Sequence, residues 1–568
     1  MRRPETETAG APVPADPAAP AAVPPPPTRL LASSADRFRV AGLAVRAGGR
    51  ARFLALALAA ALAAALASTP RMGLLVTDAT LAVTPRPGAL DRLTQALRFE
   101  TVAGNPAAVA ALHSHLLSAF PATFAALSAH TLDPGGGTPP TLLLEWRGTA
   151  GLKDAAPGVL IGHLDVVPGW EADGTAAPAA FSGAVAGGWV VSRGALDAKG
   201  PALAMLEAVE ALLEARFTPR RTLFICLGGD EESGGKGSAA AAAAVAARLA
   251  AAGAPPAVAF LLDEGGVVLP RPSSALARAL IPGPLFMVGV SEKGWETLAV
   301  RLEGPAGHAA QPRPAAPGAV LAAAAARLHA RQPAATCGPA CVAAVRALAQ
   351  ASGRPVLRLL AALVTWSPLR GPLGRALAAA GGPTVAATLR PTLALTQLHV
   401  GGGVGSAANV VPPAATAVFN ARTVPGEAPG AAAGRVRAAV EGAALALGGR
   451  HHGLTVTITT GGRGPGFDTT PAPPLTPLAG PGWAALAAAA GTLGAPGAGV
   501  LPIPFVVPGA TDSRHWSALA GGATLRAAPL AVPLADVARV HGAGERVGVG
   551  AYLGGIAAYG AFLRVGGG

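Results

Sequence analysis

Two kinds of apolar pattern alternate along the chain from about Leu90 onward. Short, almost uninterrupted apolar runs predict buried β-strands, and they occur at 141–146, 158–167, 221–227 and 257–265. Longer stretches with apolar residues three and four apart predict helices, and they occur at 89–99, 105–120, 201–215 and 237–252. Because strands alternate with helices, we expect an α/β fold with a partly parallel sheet.

The pattern changes between residues 291 and 465. Apolar and polar positions alternate at 294–304, 393–402, 415–423 and 453–460, which predicts half-exposed strands. Alanine-rich helical stretches lie between them, and the segment 327–395 is unusually long. We therefore expect a second α+β domain, residues 291–465, inserted between the two parts of the first domain, 90–290 and 466–568.

The N-terminal region has a different composition. Residues 1–50 are rich in proline, alanine and arginine, which is typical of disorder. Phe53–Ala67 contains no polar residue and follows Arg46, Arg50 and Arg52. Its 15 residues are fewer than the roughly 20 of a spanning helix, so a cleaved signal peptide or an organellar transit segment are alternatives. The arginine flank favours a single membrane anchor, with the rest of the chain in a vacuolar or secretory lumen or outside the cell.

Composition narrows the function. The 568 residues carry a net charge of +13, but only 13% are charged and 4% aromatic. No basic block is interleaved with aromatic residues, so we expect no binding to nucleic acid. Three cysteines cannot form a disulfide framework. Cys226 lies in an apolar run and is expected to be buried, whereas Cys337 and Cys341 could pair or remain free thiols.

Acidic residues and histidines occur at the ends of the predicted strands. The motifs GHLDVVP, RGALDAKG, GGDEESGG and LLDEGG supply His163, Asp165, Asp197, Glu231, Glu232 and Asp263. Ligands of open α/β sheets bind at the carboxyl ends of strands, and carboxylates gathered there repel each other unless a cation neutralises them. Asp, Glu and His without a thiolate suit Zn²⁺, Co²⁺ or Mn²⁺. Two metals that share a carboxylate can activate a water and polarise a carbonyl together.

The ordered set of these motifs, followed by GHAAQP and RVHGAGER, resembles the dizinc amidohydrolases that include carboxypeptidase S, aminoacylase and glutamate carboxypeptidase. It is most similar to carboxypeptidase S and the N-fatty-acyl-amino-acid synthase/hydrolases, over roughly residues 90–565. The resemblance implies a catalytic domain with a mixed sheet flanked by helices. It also implies that the inserted domain is a lid that forms a homodimer.

The resemblance implies two zinc sites. His163 and Asp263 would bind one ion, Glu232 and His541 would bind the other, and Asp197 would bridge them. Cobalt and manganese are possible substitutes for zinc.

The resemblance also assigns residues around the metals. Asp165 would orient the ligands, and Glu231 would be the general base. Related enzymes hold the peptide bond after the bridging aspartate in cis, so Asp197–Ala198 is expected to be cis. His515 is an alternative metal ligand by proximity, but the VHGxxE context favours His541.

Further residues are implied for the substrate. His308 in GHAAQP would stabilise the oxyanion, often from the partner subunit. Asn409 and Arg422 would bind the substrate carboxylate, since a guanidinium matches a carboxylate bidentately. Asp512 and Arg514 would line the substrate pocket.

The sequence departs from the family at two places. Gly544 replaces the asparagine of HGxNE, and AAF at 179–181 replaces the usual Pro-Phe. All the metal and base positions are present. We therefore expect a zinc-dependent hydrolase that cleaves an amide next to a free carboxylate, as a carboxypeptidase of the carboxypeptidase S type. The alternatives are an N-acyl-amino-acid hydrolase or synthase and, from another class, a non-catalytic membrane-anchored binding protein.

Overall fold

The computed structural model describes residues 79–169, 178–272, 281, 283–401, 407–448, 453–460, 469–494 and 500–568. The expected disordered region 1–50 and the apolar segment Phe53–Ala67 lie outside these residues. None of the described helices combines the length and the apolar character that crossing a bilayer requires.

The described residues from 79 to 292 form both helices and strands. Its helices are α1 (Ala89–Leu97), α2 (Pro106–Ala119), α3 (Pro121–Ala126), α4 (Lys199–Glu214) and α5 (Lys236–Ala251). Its strands are β1 (Ser128–Leu132), β2 (Thr141–Trp146), β3 (Gly158–His163), β4 (Ala184–Ala186), β5 (Trp189–Val191), β6 (Leu223–Gly228), β7 (Phe260–Leu269) and β8 (Leu285–Glu292). The four buried strands and four helices predicted for this part are confirmed, with ends that differ by a few residues.

The middle of the chain combines longer strands with helices. Its strands are β9 (Gly294–Glu303), β10 (Gly307–His308), β11 (Thr392–Val400), β12 (Val410–Val411), β13 (Ala414–Thr423), β14 (Thr455–Thr460) and β15 (Thr469–Thr470). Its helices are α6 (Pro317–Ala330), α7 (Pro339–Ser352), α8 (Pro355–Leu363), α9 (Ser367–Leu389) and α10 (Ala431–Ala446). The long segment 327–395 is thus mostly helical, with a kink in α9 at Gly382.

The last part of the chain adds strands and helices to the first domain. It contains α11 (Pro481–Thr492), β16 (Leu501–Val507), α12 (Ser517–Ala520), β17 (Thr524–Ala531), α13 (Leu534–Val537), β18 (Arg546–Gly548) and α14 (Val549–Gly567). Strands β16 and β17 join β1–β3 and β6–β8 in an eight-stranded sheet of order β1-β2-β6-β3-β7-β17-β8-β16. Strand β3 runs parallel to both β6 and β7, whereas β2 is antiparallel to β6, so the sheet is mixed.

Helices cover both faces of this sheet. Leu160 of β3 packs in one core with residues of α4, α11 and α14, whereas Val159 and Ile161 pack in another with residues of α5. Strands buried on both faces are apolar at consecutive positions, which explains the uninterrupted apolar runs. The predicted α/β class with helices flanking a mixed sheet is confirmed.

A second, antiparallel sheet of order β11-β13-β9-β14 lies in the middle of the chain. Alternate residues of β9, Leu298, Val300 and Leu302, are buried against α6 and α10. This core agrees with the predicted α+β region, and its function as a lid stays a prediction.

Helices α7, α8 and α9 form a helical insert (Pro339–Leu389) between α6 and β11. Cys337 and Cys341 form a disulfide where α7 begins, which decides between the two states left open for them. The insert has a small core of its own that includes Val345, Leu357 and Ala361. Helix α7 packs against β16, the edge strand of the eight-stranded sheet.

Candidate dinuclear metal centre

The acidic and histidine side chains of the motifs lie where the central parallel strands of the eight-stranded sheet have their carboxyl ends. We call this part of the sheet the metal edge. Strand β3 ends at His163, and the neighbouring parallel strand β6 ends at Gly228, just before the DEE sequence. The carboxyl ends of parallel strands share an edge. The loop that precedes α4 brings Asp197 to the same place, and the loop before β18 brings His541.

Two groups of possible metal ligands share one residue, Asp197. His163 Nε2 lies 3.1 Å from Asp197 Oδ1 and 3.3 Å from Glu264 Oε2. His541 Nε2 lies 3.0 Å from Asp197 Oδ2 and 3.0 Å from Glu232 Oε1. The two oxygens of Asp197 therefore face two different imidazoles, as a bridging carboxylate would.

The carboxylate beside His163 belongs to Glu264, whereas the sequence predicted Asp263. The Asp263 carboxylate accepts hydrogen bonds from the N–H of Glu264 (2.8 Å) and the N–H of Ser513 (2.7 Å). Adjacent residues of a strand point to opposite sides, so only one of the two can face His163. The β7–β17 register shifts after Asp263, and Gly265 has a φ of 135°, a local irregularity that accompanies the placement of Glu264.

Asp165 holds the surrounding main chain. Its carboxylate is fully buried and accepts hydrogen bonds from the N–H of Glu231 (3.1 Å) and of Glu232 (3.0 Å). The Nδ1 of His163 donates to the Asp165 carbonyl at 2.9 Å, which leaves Nε2 directed at Asp197. That Asp165 orients the metal ligands stays a prediction.

The three acids of the DEE sequence have different surroundings. Asp230 is buried and accepts from the N–H groups of Lys236 and Gly237 at the start of α5, at 2.7 and 2.9 Å. Glu232 faces His541. The carboxylate of Glu231 lies 3.7 Å from Arg514 Nη1. The adjacent acids therefore have separate structural settings, and only Glu232 belongs to a ligand group.

Burial dominates the electrostatics of this edge. It raises the pKa of the Glu231 carboxyl well above its usual range and that of Glu264 to about 8. Hydrogen bonds to Asp197 and Glu232 raise the pKa of His541 to about 10. Burial thus favours the protonated forms of Glu231 and Glu264, whereas hydrogen bonds to His163 and His541 lower the pKa of Asp197 despite its burial.

Glu545 and Arg193 support the ligands and were not identified from the sequence. Glu545 Oε1 accepts from the N–H of Leu196 (2.9 Å) and of Asp197 (3.2 Å), and its Oε2 accepts from Arg193 Nη1 at 2.6 Å. Arg193 Nη2 also donates to the Gly542 carbonyl at 3.0 Å. The pair thereby connects the loop of Asp197 with the loop of His541. The sequence offered one signal for these two residues: Arg193 lies in the RGALD motif and Glu545 in the HGAGER motif.

Two backbone features of the motifs are also explained. The Asp197–Ala198 peptide bond is cis, as predicted. Gly544, which replaces the family's asparagine, has a φ of 65°. Glycine and asparagine are the residues that most readily adopt this left-handed conformation, so the exchange preserves the loop.

Two of the predicted substrate residues are close to each other in the second domain. His308 is exposed on β10, which pairs with β12, and its Nδ1 accepts from the Ala310 N–H at 3.0 Å. The Ala309 N–H donates to the Asn409 carbonyl at 2.8 Å. His308 and Asn409 thus lie side by side, and neither belongs to the ligand groups found in the described residues.

Arg422 is largely enclosed on β13. Its guanidinium carbon lies 3.9 Å from the centre of the Trp295 ring, and its Nε donates to Asn420 Oδ1 at 2.9 Å. Its Nη1 is buried and has no hydrogen-bond partner in the described structure. Lys293, 1% exposed, donates to Thr392 Oγ1 at 3.0 Å nearby. Burial and the charge of Arg422 lower the pKa of Lys293 to about 7.

The remaining candidates, Asp512, Arg514 and His515, lie in the helical turn after β16 and have different surroundings. Arg514 faces Glu231, as a pocket residue would. Asp512, predicted to line the pocket, is only 1% exposed and packs under the backbone of Gly235, so it does not face an open cleft. His515 Nε2 contacts the Gly234 carbonyl at 3.1 Å and is outside both ligand groups.

This chain is similar to known proteins in sequence and in fold. The pattern of Peptidase family M20/M25/M40 matches residues 159–565. "Probable carboxypeptidase S-like 2" of Dictyostelium discoideum is 30% identical over 292 residues, 50% of this chain and 51% of that protein. "N-fatty-acyl-amino acid synthase/hydrolase PM20D1" of Homo sapiens is 31% identical over 285 residues, 48% of this chain and 50% of that protein. The matched region thus spans about half the length of these relatives.

Solved structures agree on the fold. Human carnosine dipeptidase 1 superposes with a TM-score of 0.53 at 16% identity, covering 84% of this chain and 96% of that one. The M20 family metallo-carboxypeptidase Sso-CP2 from Sulfolobus solfataricus gives 0.53 at 15% identity, covering 85% of this chain and 100% of that one. With the family pattern covering most of the chain, the protein belongs to Peptidase family M20/M25/M40.

Proposed function

We propose that this protein is a dizinc hydrolase that cleaves an amide bond next to a free carboxylate. The observation that carries the proposal is the position of Asp197, whose two oxygens lie 3.1 and 3.0 Å from His163 and His541 in two separate groups. A shared carboxylate between two sets of O and N donors is the arrangement that a two-metal hydrolase requires.

The distances support one set of ligands. Glu264 and His163 would bind one ion, Glu232 and His541 would bind the other, and Asp197 would bridge them. The donors are imidazole and carboxylate without thiolate, which fits zinc and allows cobalt or manganese. When bound, two such ions lower the pKa of a water and polarise a carbonyl oxygen.

Glu231 is the proposed general base. It belongs to neither ligand group, yet its main chain is held by the same Asp165 carboxylate that holds Glu232. Glu231 would accept a proton from the attacking water and return it to the nitrogen of the leaving amine. Arg514, 3.7 Å away, would keep the side chain directed into the cleft.

Arg422 is the proposed anchor for the substrate carboxylate. Its buried Nη1 has no partner within the described residues, and an unsatisfied buried donor carries a cost that an anionic ligand would remove. Asn420 and Trp295 fix the guanidinium plane. A bidentate pair would then set the distance between the carboxylate and the scissile amide.

His308 is the proposed oxyanion donor, with Asn409 beside it. Its exposed position on β10 fits a residue that acts on a site outside its own surroundings, in the partner subunit. Edge strand β11 exposes Leu395 (39%), Leu398 (40%) and Val400 (43%). An exposed apolar edge strand is prone to pair with another chain, which supports a homodimer through the second domain.

The substrate is proposed to be the C-terminal residue of a peptide, as in a carboxypeptidase of the carboxypeptidase S type. An N-acyl amino acid is the second candidate, since a relative named for N-fatty-acyl-amino acid synthesis and hydrolysis matches at similar identity. Both substrates present an amide beside a carboxylate. A membrane anchor at Phe53–Ala67, with the enzyme in a lumen or outside the cell, remains part of this proposal.

A direct comparison of substrates tests the function. Purified full-length protein loaded with zinc would be assayed with N-blocked dipeptides and with N-oleoyl amino acids, each also as its carboxamide. We expect hydrolysis of at least one free-acid series and loss of activity for the amides, because Arg422 has no carboxylate to bind. Equal activity on acids and amides would contradict the role of Arg422. No turnover of either series by zinc-loaded protein would favour the non-catalytic alternative.

A further inference from the structure

The helical insert has an unusual charge composition. No aspartate or glutamate occurs between Glu303 and Glu427, and the insert itself contains five arginines, Arg346, Arg354, Arg358, Arg370 and Arg375. Arg354, Arg358 and Arg375 are exposed. All the arginine salt bridges within the described residues lie outside the insert. The insert therefore presents positive charge that no carboxylate of its own region balances.

The same surface exposes large apolar side chains. Val356 and Leu359 are 61% and 41% exposed, and Trp366, just after α8, is 61% exposed. Val356 and Leu359 are three residues apart in α8 and share one face of it. The opposite face is buried, since Leu357 and Ala361 lie in the core of the insert. Helix α8 is thus fixed to the protein by one apolar face and presents a second to its surroundings.

Three possible partners can be compared by their chemistry. A second copy of this surface would bring arginines against arginines, which is unfavourable in the absence of acidic residues. Nucleic acid would pair with the arginines but would leave Val356 and Leu359 without apolar contacts. A bilayer that contains anionic lipids satisfies both features, since apolar residues enter the acyl boundary while arginines remain at the phosphates. Tryptophan is also enriched at this interface.

We propose that the helical insert docks on the surface of an anionic phospholipid bilayer through Val356, Leu359 and Trp366, with Arg354, Arg358 and Arg375 at the lipid phosphates. The contact is peripheral. It is independent of the N-terminal apolar segment and of the identity of the substrate.

The insert is connected to the elements around Arg422, the proposed carboxylate anchor. Helix α7 packs on β16, and the chain leaves α9 through Arg390 to β11, where Thr392 contacts Lys293. Lys293 directly precedes β9, in which Trp295 pairs with Arg422 of β13. The insert is thus connected, through α7 and through β11, to the strands that hold the proposed carboxylate anchor.

Vesicle sedimentation of the full-length protein tests the proposal. Vesicles would contain phosphatidylcholine alone or with phosphatidylglycerol. We expect stronger binding to the anionic vesicles, weakened by salt. Arg354→Gln/Arg358→Gln/Arg375→Gln should weaken binding to anionic vesicles on the order of a hundred-fold, since each arginine near such a surface contributes about five-fold. Arg437→Gln, an exposed arginine on α10, is the matched control and should bind like the unmodified protein.

The apolar contact has its own variant. Val356→Ser/Leu359→Ser/Trp366→Ser should reduce binding to anionic vesicles and remove part of the blue shift of tryptophan emission, whereas Leu445→Ser, 60% exposed on α10, should not. Equal binding of the unmodified protein to neutral and anionic vesicles would overturn the proposal and indicate the N-terminal segment. Unchanged binding of both triple variants would do the same. A change of oligomeric state in the apolar variant would identify a second copy as the partner instead.

Discussion

The metal edge of the eight-stranded sheet and the helical insert contain charged residues in opposite arrangements. At the metal edge three buried carboxylates have assigned partners: Asp165 accepts two main-chain N–H groups, Asp230 caps α5, and Glu545 pairs with Arg193. In the insert, five arginines occur without one acidic residue. One region is organised around carboxylates, and the other presents cations to its surroundings.

The net charge of +13 does not show how differently charge is distributed in these two regions. A buried charge is costly unless it is paired, so buried partners indicate a built site. An exposed arginine is solvated at little cost, so by itself it does not indicate a binding surface. It does so only where acidic residues that could balance its charge are absent. The sequence feature that marks the insert is therefore the absence of Asp and Glu over residues 304–426, and a search for basic clusters does not find it.

Glu231→Gln is expected to have the largest effect on the metal edge. The substitution keeps the shape and removes the proton acceptor, so turnover should fall by more than the roughly 100- to 10,000-fold typical of general acid–base catalysis. Zinc content should be unchanged. Metal analysis and single-turnover kinetics check both, with Glu232→Gln as the matched variant. Glu232→Gln should lose zinc, and the reverse pattern would exchange the two roles.

The adjacent acids of β7 give the next largest effect. Glu264→Gln removes a carboxylate beside His163, so zinc affinity should fall more than 100-fold, beyond the roughly 10- to 100-fold caused by losing a supporting residue. Asp263→Asn should keep both zinc ions and lower the free energy of unfolding by about 1–3 kcal/mol, because a buried N–H loses its acceptor. Metal titration after chelation distinguishes them. Zinc loss in Asp263→Asn alone would restore the assignment predicted from the sequence.

His308→Ala moves the comparison to the second domain. Removing one oxyanion donor typically lowers turnover about 100- to 1,000-fold, and zinc content should not change because His308 is outside both ligand groups. Mixing His308→Ala with Glu231→Gln protein is the informative measurement. If His308 acts across a dimer, the mixture should recover part of the activity, and an inactive mixture of exchanging subunits would contradict action in trans.

Glu545→Gln should have a moderate effect. It retains an acceptor for the N–H of Asp197 but leaves Arg193 buried without a charged partner. We expect zinc affinity to fall about 10- to 100-fold and stability to fall by about 3–5 kcal/mol. Glu303→Gln, in an exposed pair with Arg301, is the control and should change stability by less than about 1 kcal/mol. A normal zinc affinity in Glu545→Gln would reduce the residue to a structural role.

The sequence predicted the main sheet well because β3, β6 and β7 are buried on both faces at their centre and read as continuous apolar runs. It did not predict β4 and β5, which have three residues each. Strands this short carry too little periodicity to separate from a loop. In the segment 327–395 the sequence predicts alanine-rich helical stretches but not the bounds of α7, α8 and α9, because alanine alone does not show which helix face is buried.

The site was predictable at the level of motifs and less so at the level of single atoms. His163, Asp197, Glu232 and His541 were placed together by their motifs, and the structure brings them into two connected groups. The choice between Asp263 and Glu264 depends on a local shift of strand register, which neighbouring letters do not reveal. The burial of Asp512 under Gly235 could not be predicted either, because it depends on the tertiary packing of distant segments.

The smallest effect is expected in the insert. Arg354→Gln/Arg358→Gln/Arg375→Gln changes exposed residues whose charges have no acidic partner in their own region. Each exposed substitution away from caps and buried pairs usually changes stability by less than about 0.5 kcal/mol. The melting temperature and the hydrolysis of a short soluble substrate should therefore match those of the unmodified protein. Circular dichroism and steady-state kinetics without vesicles provide the measurement. A loss of either would show that these arginines are part of the folded site, and the contrast between paired and unpaired charge would then be wrong.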